Sequence, residues 1–291
     1  MTTKSSNSLA RTILSPLYRL AIWALRCGVR LSRRVMGQAQ FIKASHYLKE
    51  GLDWNLKAGD LVFDCAEPIP LHRATHLFEK EPETIHWIDA LMREDDVLYD
   101  VGANIGIYSL YAAKSRNCRV YAFEPASDNY ALLNRNIALN DLSRRVTALN
   151  VALHDDMVIN TLNLSGMKVG SALHTFAGTI DGWGNDYDPA FRQGVIGVPI
   201  DKLVTDFGLS FPNFIKIDVD GNEHIVIEGM SNVISDPRLK SIAIELNFQD
   251  RADIDSKIVA RIKDAGFEEL TDTSFDSKLR KTMKNYFFHR A

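Results

Sequence analysis

Short apolar runs alternate with stretches that are apolar on one helical face only, from about residue 95 to the end of the chain. This alternation is typical of strand–helix–strand units that build a mostly parallel sheet with right-handed crossovers. Seven runs are predicted as strands: Val97–Val101, Arg119–Phe123, Val146–Val151, Phe214–Val219, Ser241–Leu246, Phe267–Thr271 and Tyr286–Arg290. Four segments between them are predicted as helices: Tyr108–Ser115, Asn129–Leu139, Glu223–Ser231 and Asp253–Ala265. The last two strands have a short connection, which predicts an antiparallel hairpin at the end of the sheet.

The segment 160–198 breaks this rhythm, because it is rich in glycine and in short polar residues and has no helical pattern. A long insertion of this kind in an α/β enzyme is usually a functional loop or lid. Two interpretations remain open. The segment covers a substrate, or it forms a surface β-hairpin without substrate contact.

The N-terminal segment Leu17–Met36 has its arginines at helical spacing and its apolar residues across from them, which predicts a basic amphipathic helix. It contains no uncharged apolar stretch long enough to cross a bilayer and no secretory cleavage pattern. Such a helix can lie on an anionic membrane surface as a peripheral contact. The more common role of such a helix is to pack on the rest of the chain or on a second subunit with its arginines in solvent, and the sequence leaves the oligomeric state open.

The charges of the chain are unevenly distributed along its 291 residues. The first 49 residues hold nine Lys or Arg and no acid, so the remainder holds 25 bases against 37 acids. An acidic body argues against nucleic acid as the substrate. The three cysteines contain no C-x-x-C pair and favour a reducing, cytoplasmic location. We predict a helical arm over 1–45, a helical and extended lead-in over 46–94, and an α/β domain over 95–291.

A glycine-rich turn follows the first predicted strand of this domain. Gly102 and Gly106 suit a tight turn that enters a helix, whose free N–H groups attract a carboxylate or phosphate. A dinucleotide-binding turn would have the pattern G-x-G-x-x-G. In this chain only Gly102 and Gly106 are present in the turn, three residues lie between them, and Asp100 precedes them. An acid there would repel a pyrophosphate but suits a ligand that carries an ammonium group and a sulfonium.

The second predicted strand ends in Glu124, 22 residues after Gly102. A carboxylate at this position can accept hydrogen bonds from both hydroxyls of a ribose, as in sites for NAD or for S-adenosylmethionine. After the third strand, Asp155 is a candidate for the adenine edge.

The fourth predicted strand carries three charged residues, Lys216, Asp218 and Asp220, which alternate and so point to one side. In doubly wound sheets, ligands bind outside the carboxyl ends of the strands. The alternative role for Lys216 and Asp218 is a structural ion pair. Glu245 and Asn247 end the next strand and are expected to face the same crevice.

These motifs together resemble the FkbM-type methyltransferase family. The resemblance covers about residues 78–290, and the segments that carry it are Lys80-Glu-Pro-Glu-Thr84, Asp100-Val-Gly-Ala-Asn-Ile-Gly106, Phe123-Glu-Pro125, the helix with Asn136 and Asn140, Asp201-Lys-Leu203, and Lys216-Ile-Asp-Val-Asp-Gly-Asn-Glu223. It implies a class I, Rossmann-like methyltransferase fold of seven strands in the order 3-2-1-4-5-7-6, mostly parallel with an antiparallel last strand. It also implies O-methylation, often of sugars or of glycosylated and polyketide products.

The resemblance assigns roles to residues of this chain. Asp100, Gly102, Asn104 and Gly106 would line the methionine portion of S-adenosyl-L-methionine, Glu124 the ribose, and 218–223 the reacting group. The family usually has Glu where this chain has Asp220, so this carboxylate is shorter by about one methylene.

Methyl transfer to a hydroxyl of a small molecule or glycan needs a group that accepts the hydroxyl proton. The candidates are Asp218, Asp220, Glu223 and His224. A variant mechanism uses a divalent cation, which is not expected, held by Asp218, Asp220, Glu245 and Asn247. Two other functions are considered: an NAD-dependent oxidoreductase, and a non-catalytic protein of this fold that docks through its N-terminal helix.

Overall fold

The computed structural model describes residues 20, 23–172, 174–180, 183–271 and 284–290. The chain divides into two units, one ending at Trp54 and the other beginning at Asn55. In the first unit, residues 23–36 form helix α1 and Gln38–Glu50 form helix α2. Gly37 separates the two helices with a positive φ of 74°. Residues 17–19, 21 and 22 of the predicted basic helix lie outside the described residues.

The second unit begins with a lead-in of small elements. Strands β1 (Asn55–Ala58) and β2 (Leu61–Asp64) form an antiparallel hairpin. Three helices follow: α3 (Pro68–Thr75), α4 (Leu77–Lys80) and α5 (Pro82–Leu91). Trp87 of α5 is fully buried, and its indole N–H donates to the hydroxyl of Ser241 at 2.9 Å. The lead-in therefore packs into the core of this unit.

Seven strands form the main sheet: β3 (Val97–Val101), β4 (Arg119–Phe123), β5 (Val146–Leu149), β10 (Phe214–Ile217), β11 (Ser241–Leu246), β12 (Phe267–Glu269) and β13 (Lys284–Arg290). Their order is β12-β13-β11-β10-β3-β4-β5, and only β13 runs antiparallel to its neighbours. This arrangement confirms the predicted order 3-2-1-4-5-7-6 and the antiparallel last strand. The connection between the last two strands, residues 272–283, lies outside the described residues.

Helices cover the main sheet on both faces. They are α6 (Ile107–Arg116), α7 (Ser127–Leu139), α8 (Ile200–Thr205), α9 (Glu223–Glu228), α10 (Ser231–Ser235) and α11 (Ala252–Asp264). Each face of the sheet packs against its own apolar cluster. On β3, Leu98 belongs to the cluster with Trp87 and Phe214, whereas the next residue, Tyr99, belongs to the cluster with Ile215. The predicted strands were continuous apolar runs because both faces of the sheet are buried.

The segment 160–198 forms most of a second, four-stranded sheet in the order β6-β9-β7-β8. Its strands are β6 (Ala152–Leu153), β7 (Val158–Leu164), β8 (Thr175–Phe176) and β9 (Phe191–Val198). β7 and β9 pair antiparallel along their lengths. The segment therefore contains an antiparallel hairpin, and the choice between a substrate cover and a hairpin without substrate contact stays a prediction. Its long connection, of which residues 173, 181 and 182 are not described, carries the residues that reach the functional cleft.

Candidate functional site

The glycine turn lies where β3 enters α6. Gly102 has φ of 83°, and a β-carbon there would overlap the carbonyl oxygen of Asp218. Gly106 has φ of 87°, and a β-carbon there would overlap the side chains of Leu133 and Leu110. Gly102 therefore permits the close approach of two strand ends, and Gly106 permits close packing of the helix that follows.

Glu124 follows the end of β4, and its carboxylate is held by the backbone. The amides of Asn104 and Ala126 donate to its two oxygens at 2.7 and 2.8 Å. The residue is only 5% exposed, and burial raises the pKa of Glu124 to about 7, although the two amide hydrogen bonds oppose this rise. The carboxylate thus has a fixed position and titrates near neutral pH.

Glu124 lines a cleft at the carboxyl ends of β3, β4 and β10. The cleft encloses about 580 Å³ when the solvent in its open mouth is counted. Its polar lining residues include Asn104, Asn129, Asp218 and Asp220. Its apolar lining residues are Val101, Phe123, Pro125, Val151, Ala152, Leu153, Leu162, Ala172, Phe176 and Val219.

The insertion contributes Ser171, Ala172, His174 and Phe176 to the wall of this cleft. It is attached by side chains that bind its backbone: the amide groups of Asn104 and Asn129 donate to the carbonyl of Ser171 at 2.8 and 3.1 Å. Arg73 Nε donates to the carbonyl of Gly170 at 2.9 Å. The role of the insertion as a substrate cover stays a prediction, since these contacts locate it beside the cleft without a substrate.

Asp100, at the end of β3, is almost fully buried. The hydroxyl of Ser109 donates to its Oδ2 at 2.5 Å, whereas its buried Oδ1 has no hydrogen-bond partner in the described part of the chain. Burial raises the pKa of Asp100, and the nearby Lys216 ammonium opposes this rise. An unsatisfied buried acceptor fits a ligand that brings a hydrogen-bond donor, such as an ammonium group.

Lys216 lies at the centre of a buried group of carboxylates. Its ammonium is 2.8 Å from Asp218, and the residue is 2% exposed. Burial alone would lower the pKa of Lys216, but the charges of Asp218, Glu81 and Asp100 raise it above its ordinary value. The ion pair proposed as the alternative role of Lys216 and Asp218 is therefore present, although Asp218 also lines the cleft.

Carboxylate oxygens of Glu81, Asp218 and Glu245 lie within 4.8 Å of one another. This group contains two of the four residues of the predicted cation site, Asp218 and Glu245. Asn247 instead has its backbone amide bonded to Asp255 at 2.6 Å and its side-chain amide bonded to Asp250 at 2.9 Å.

The other predicted proton acceptors are placed differently. β10 ends at Ile217, so Asp220 lies in the turn after the strand rather than in it, with φ of 54°, and lines the cleft. Glu223 accepts hydrogen bonds from the Gly221 amide at 3.0 Å and from Arg251 at 3.3 Å. His224 lines a separate cleft beside the start of α11.

Asp155 is not on the cleft wall. It forms an ion pair with His154 at 2.7 Å and is 43% exposed, and the neighbouring residues Val151–Leu153 line the cleft instead. Two polar residues of the lead-in escaped the sequence analysis. Glu81 lies in a segment recognised only as family-like, and Arg73 on α3 had no motif to mark it.

Comparison with known proteins gives a consistent picture. A family model described as "Methyltransferase FkbM domain" matches residues 100–269. The chain is 24% identical to the 31-O-demethyl-FK506 methyltransferase FkbM of Streptomyces tacrolimicus, over 60% of this chain and 74% of that protein. It is 26% identical to the hexuronic acid methyltransferase AglP of Haloferax volcanii, over 62% of this chain and 67% of that protein.

Among solved structures, the precorrin-6y C5,15-methyltransferase of Geobacter metallireducens superposes with a TM-score of 0.43 at 14% identity. That match covers 73% of this chain and 88% of the other.

Proposed function

The chain belongs to the methyltransferase FkbM domain family, and from this premise we propose that it transfers a methyl group from S-adenosylmethionine to a hydroxyl oxygen of a sugar, glycan or other small molecule. The observation that carries the proposal is the carboxylate of Glu124, fixed by two backbone amides in a cleft beside the glycine turn. A carboxylate held in this way can accept hydrogen bonds from both ribose hydroxyls.

The cleft offers suitable surroundings for each part of the cofactor. The apolar wall formed by Pro125 and Val151–Leu153 suits the adenine ring. Asp100, Gly102, Asn104 and Gly106 would surround the methionine portion, and the unpartnered Oδ1 of Asp100 suits its ammonium group. When bound, S-adenosylmethionine supplies a methyl group made electrophilic by the sulfonium sulfur.

The protein must orient the acceptor hydroxyl and remove its proton as the new oxygen–carbon bond forms. We assign the proton-accepting role to Asp220, because it lines the cleft. Asp218 is engaged by the ammonium of Lys216, which suits a positioning role. Glu223 is held by Gly221 and Arg251, and His224 lines a different cleft, so we assign neither to this step.

The acceptor class is supported by the two relatives, since one is named for a demethylated hydroxyl position of FK506 and the other for a hexuronic acid. Both names describe oxygen-rich molecules, and the cleft wall with Asp218 and Asp220 provides hydrogen-bond acceptors for such hydroxyls.

Calorimetric titration of S-adenosylhomocysteine into wild type and Glu124→Ala tests the proposal. We expect the substitution to weaken binding by about 1.5–3 kcal/mol, as for hydrogen bonds to a charged group. Glu268→Ala, which removes an exposed carboxylate of β12, is the matched control and should bind as wild type does. Absence of binding to wild type, or equal affinity of Glu124→Ala, would contradict the proposal.

We further propose that α1 lies on an anionic membrane surface. At about 100° per residue, its four arginines occupy one arc of roughly 100°, and most of its apolar side chains occupy the rest of the circumference. These apolar side chains are exposed, as in Trp23 at 64% and Val35 at 76%. The described part of the chain has no helix that is long and apolar enough to cross a bilayer.

Sedimentation with vesicles tests this second proposal. The full chain should sediment with vesicles containing phosphatidylserine and remain in solution with pure phosphatidylcholine. The double variant Leu31→Asp, Val35→Asp should remain in solution with both. Equal sedimentation of the two proteins would contradict a role for α1.

A further inference from the structure

A second cleft, termed the α11 cleft, lies between the insertion and the start of α11. Its lining residues come from three segments of the chain, which are parts of 175–184, 221–225 and 249–254. It encloses about 1550 Å³ with the solvent in its open mouth, against about 580 Å³ for the Glu124 cleft counted in the same way. The α11 cleft is therefore the larger of the two and can take an extended molecule.

The two clefts meet at the turn that follows β10. Asn222 lines both of them, whereas Asp220 lines the Glu124 cleft and Gly221 lines the α11 cleft. Strand β8 of the insertion divides in the same way, with Phe176 in the wall of the Glu124 cleft and Thr175 in the wall of the α11 cleft. A molecule in the α11 cleft therefore reaches the proposed proton acceptor, Asp220, across Asn222.

The side chain of Asn222 has a fixed orientation at this junction. Its Nδ2 donates to the carbonyl of Phe176 at 2.8 Å. An amide whose nitrogen donates in this way offers its Oδ1 as an acceptor. Asn222 can thus bind one hydroxyl of a molecule while a neighbouring hydroxyl lies at Asp220.

The wall of the α11 cleft is rich in neutral hydrogen-bonding groups. They are the hydroxyl of Thr179, the amides of Asn222 and Gln249, and the imidazole of His224. Burial and the charge of Arg251 lower the pKa of His224, so its imidazole is neutral at neutral pH. Groups that both donate and accept suit a molecule with many hydroxyls.

The charges of this wall disfavour an anionic molecule. Among the described residues that line the α11 cleft, Arg251 carries the only positive charge, and its side chain is 10% exposed and paired with Glu223 at 3.3 Å. Asp250 and Asp253 lie on the same wall and are exposed. Two exposed carboxylates repel a carboxylate or phosphate on a ligand, and the paired arginine does not offset them.

We propose that the α11 cleft binds the methyl acceptor and that this acceptor is a neutral glycan of at least two sugar units. The inference rests on the proposed function and narrows its acceptor class. The reacting sugar lies at Asn222, which positions it, and the attached units extend along the start of α11. The acceptor oxygen bonds to the methyl carbon, the carbon–sulfur bond breaks with its electron pair going to sulfur, and the hydroxyl proton passes to Asp220.

A glycan array tests this assignment with the protein saturated by S-adenosylhomocysteine. The array carries neutral glycans of one to four sugar units and glycans of the same lengths that contain uronic acids. Wild type should bind neutral glycans of two or more units about tenfold more tightly than single sugars, the effect of one or two added hydrogen bonds. It should also prefer neutral glycans to uronic-acid glycans of equal length.

The double variant Asp250→Asn, Asp253→Asn tests the charge argument. Removal of the two carboxylates should raise the ratio of uronic-acid to neutral glycan binding by about two- to fivefold, as for exposed charges. The matched control is Asp60→Asn, Glu268→Gln, which removes two exposed carboxylates outside both clefts and should leave this ratio as in wild type. An unchanged ratio in the first variant would contradict the charge argument.

Two substitutions of Asn222 test its contact with the acceptor. Asn222→Ala should weaken neutral glycan binding by about five- to tenfold, because it removes a hydrogen-bond acceptor. Asn222→Asp loses the bond to Phe176 but keeps a side-chain oxygen, and it should bind neutral glycans more tightly than Asn222→Ala. Equal weakening by both would show that Asn222 acts only through the insertion, and would overturn its assignment.

The outcomes separate this inference from the function on which it rests. If calorimetry shows no binding of S-adenosylhomocysteine to wild type, the proposed function fails, and with it the inference. If S-adenosylhomocysteine binds but wild type binds no glycan of the array, prefers uronic-acid glycans, or binds single sugars as tightly as longer ones, the inference alone is overturned.

Discussion

The cleft that contains Glu124 has carboxylates that are held by two different means. On the side of β4, Glu124 is held by two backbone amides. On the side of β10 and β11, Asp218 is held by the ammonium of Lys216, with Glu81 and Glu245 close by.

Backbone amides fix a position but bring only partial charges, so burial still raises the pKa of Glu124 to about 7. A buried ammonium brings a full charge, and its own pKa is raised by the carboxylates around it. The first arrangement gives a carboxylate, Glu124, whose charge changes near neutral pH. The second gives a carboxylate, Asp218, whose negative charge is stabilised by one side chain, Lys216.

The largest expected effect concerns Asp220, the proposed proton acceptor, which follows β10 two residues after Asp218. Asp220→Asn should reduce kcat by about 10²–10⁴-fold, the usual contribution of general base catalysis. Its affinity for S-adenosylhomocysteine should stay within roughly threefold of wild type, because the change keeps the size and the left-handed backbone preference of the residue. Asp220→Glu, which restores the residue usual in the family, is the control and should retain activity. Full activity of Asp220→Asn would assign the proton to another group.

The next effect concerns the lysine that holds the second side. Lys216→Met removes the cation from a buried group of acids and should lower the free energy of unfolding by about 3–5 kcal/mol, measured by urea denaturation. Lys202→Met is the matched control, since it breaks an exposed ion pair with Asp206 and should leave the urea midpoint nearly unchanged. Equal urea midpoints for Lys216→Met and Lys202→Met would show that the buried carboxylates beside β10 do not depend on the charge of Lys216.

A smaller effect follows from the pKa of Glu124. Ribose hydroxyls donate to the ionised carboxylate, so S-adenosylhomocysteine should bind about tenfold more tightly at pH 8 than at pH 6. Glu124→Gln should bind weakly at both values, without this dependence.

The stability of the unliganded protein should change with pH in the opposite direction to ligand binding. The folded-state pKa lies above the ordinary value of 4.5, so the protonated carboxyl is favoured in the fold. Its contribution to the stability of the unliganded protein is complete below about pH 4.5 and is lost as the pH rises through about 7. Thermal denaturation of wild type and Glu124→Gln across this range measures it, and parallel curves would contradict the pKa.

The smallest expected effect concerns divalent cations. Lys216 already supplies a positive charge beside Asp218 and Glu81, so chelation with EDTA should change the rate by less than about twofold. Loss of activity with EDTA, restored by magnesium, would favour the variant in which Asp218, Asp220, Glu245 and Asn247 hold a cation.

The local sequence pattern was sufficient to predict most strands of the main sheet. Three strands begin and end at the predicted residues, because buried parallel strands are apolar throughout and are bounded by turns. The spacing from Gly102 to Glu124 located both in one cleft, since successive parallel strands end at the same edge.

Residues that meet through topology could not be predicted in this way. Glu81 and Asp218 are far apart in sequence and become neighbours only because the lead-in packs beside the main sheet. Asp155 lies two residues after the end of β6, where the chain has already left the main sheet, and its side chain is partly exposed. His224 differs from Glu223 by one helical position, and this rotation of about 100° turns it toward another cleft.

The turn of the insertion at Gly170 and Ser171 is attached beside the cleft through its own main chain. Asn104, Asn129 and Arg73 bind carbonyl groups of Gly170 and Ser171, and no side chain of the insertion takes part in these bonds. These three bonds do not depend on which side chains the turn itself carries, so substitutions elsewhere in the insertion leave them in place. Gln193 makes a second attachment that does depend on its side chain, which accepts from the Ser127 amide and donates to the Pro125 carbonyl. The segment 160–198 is therefore held at one point by the body's side chains and at another by its own.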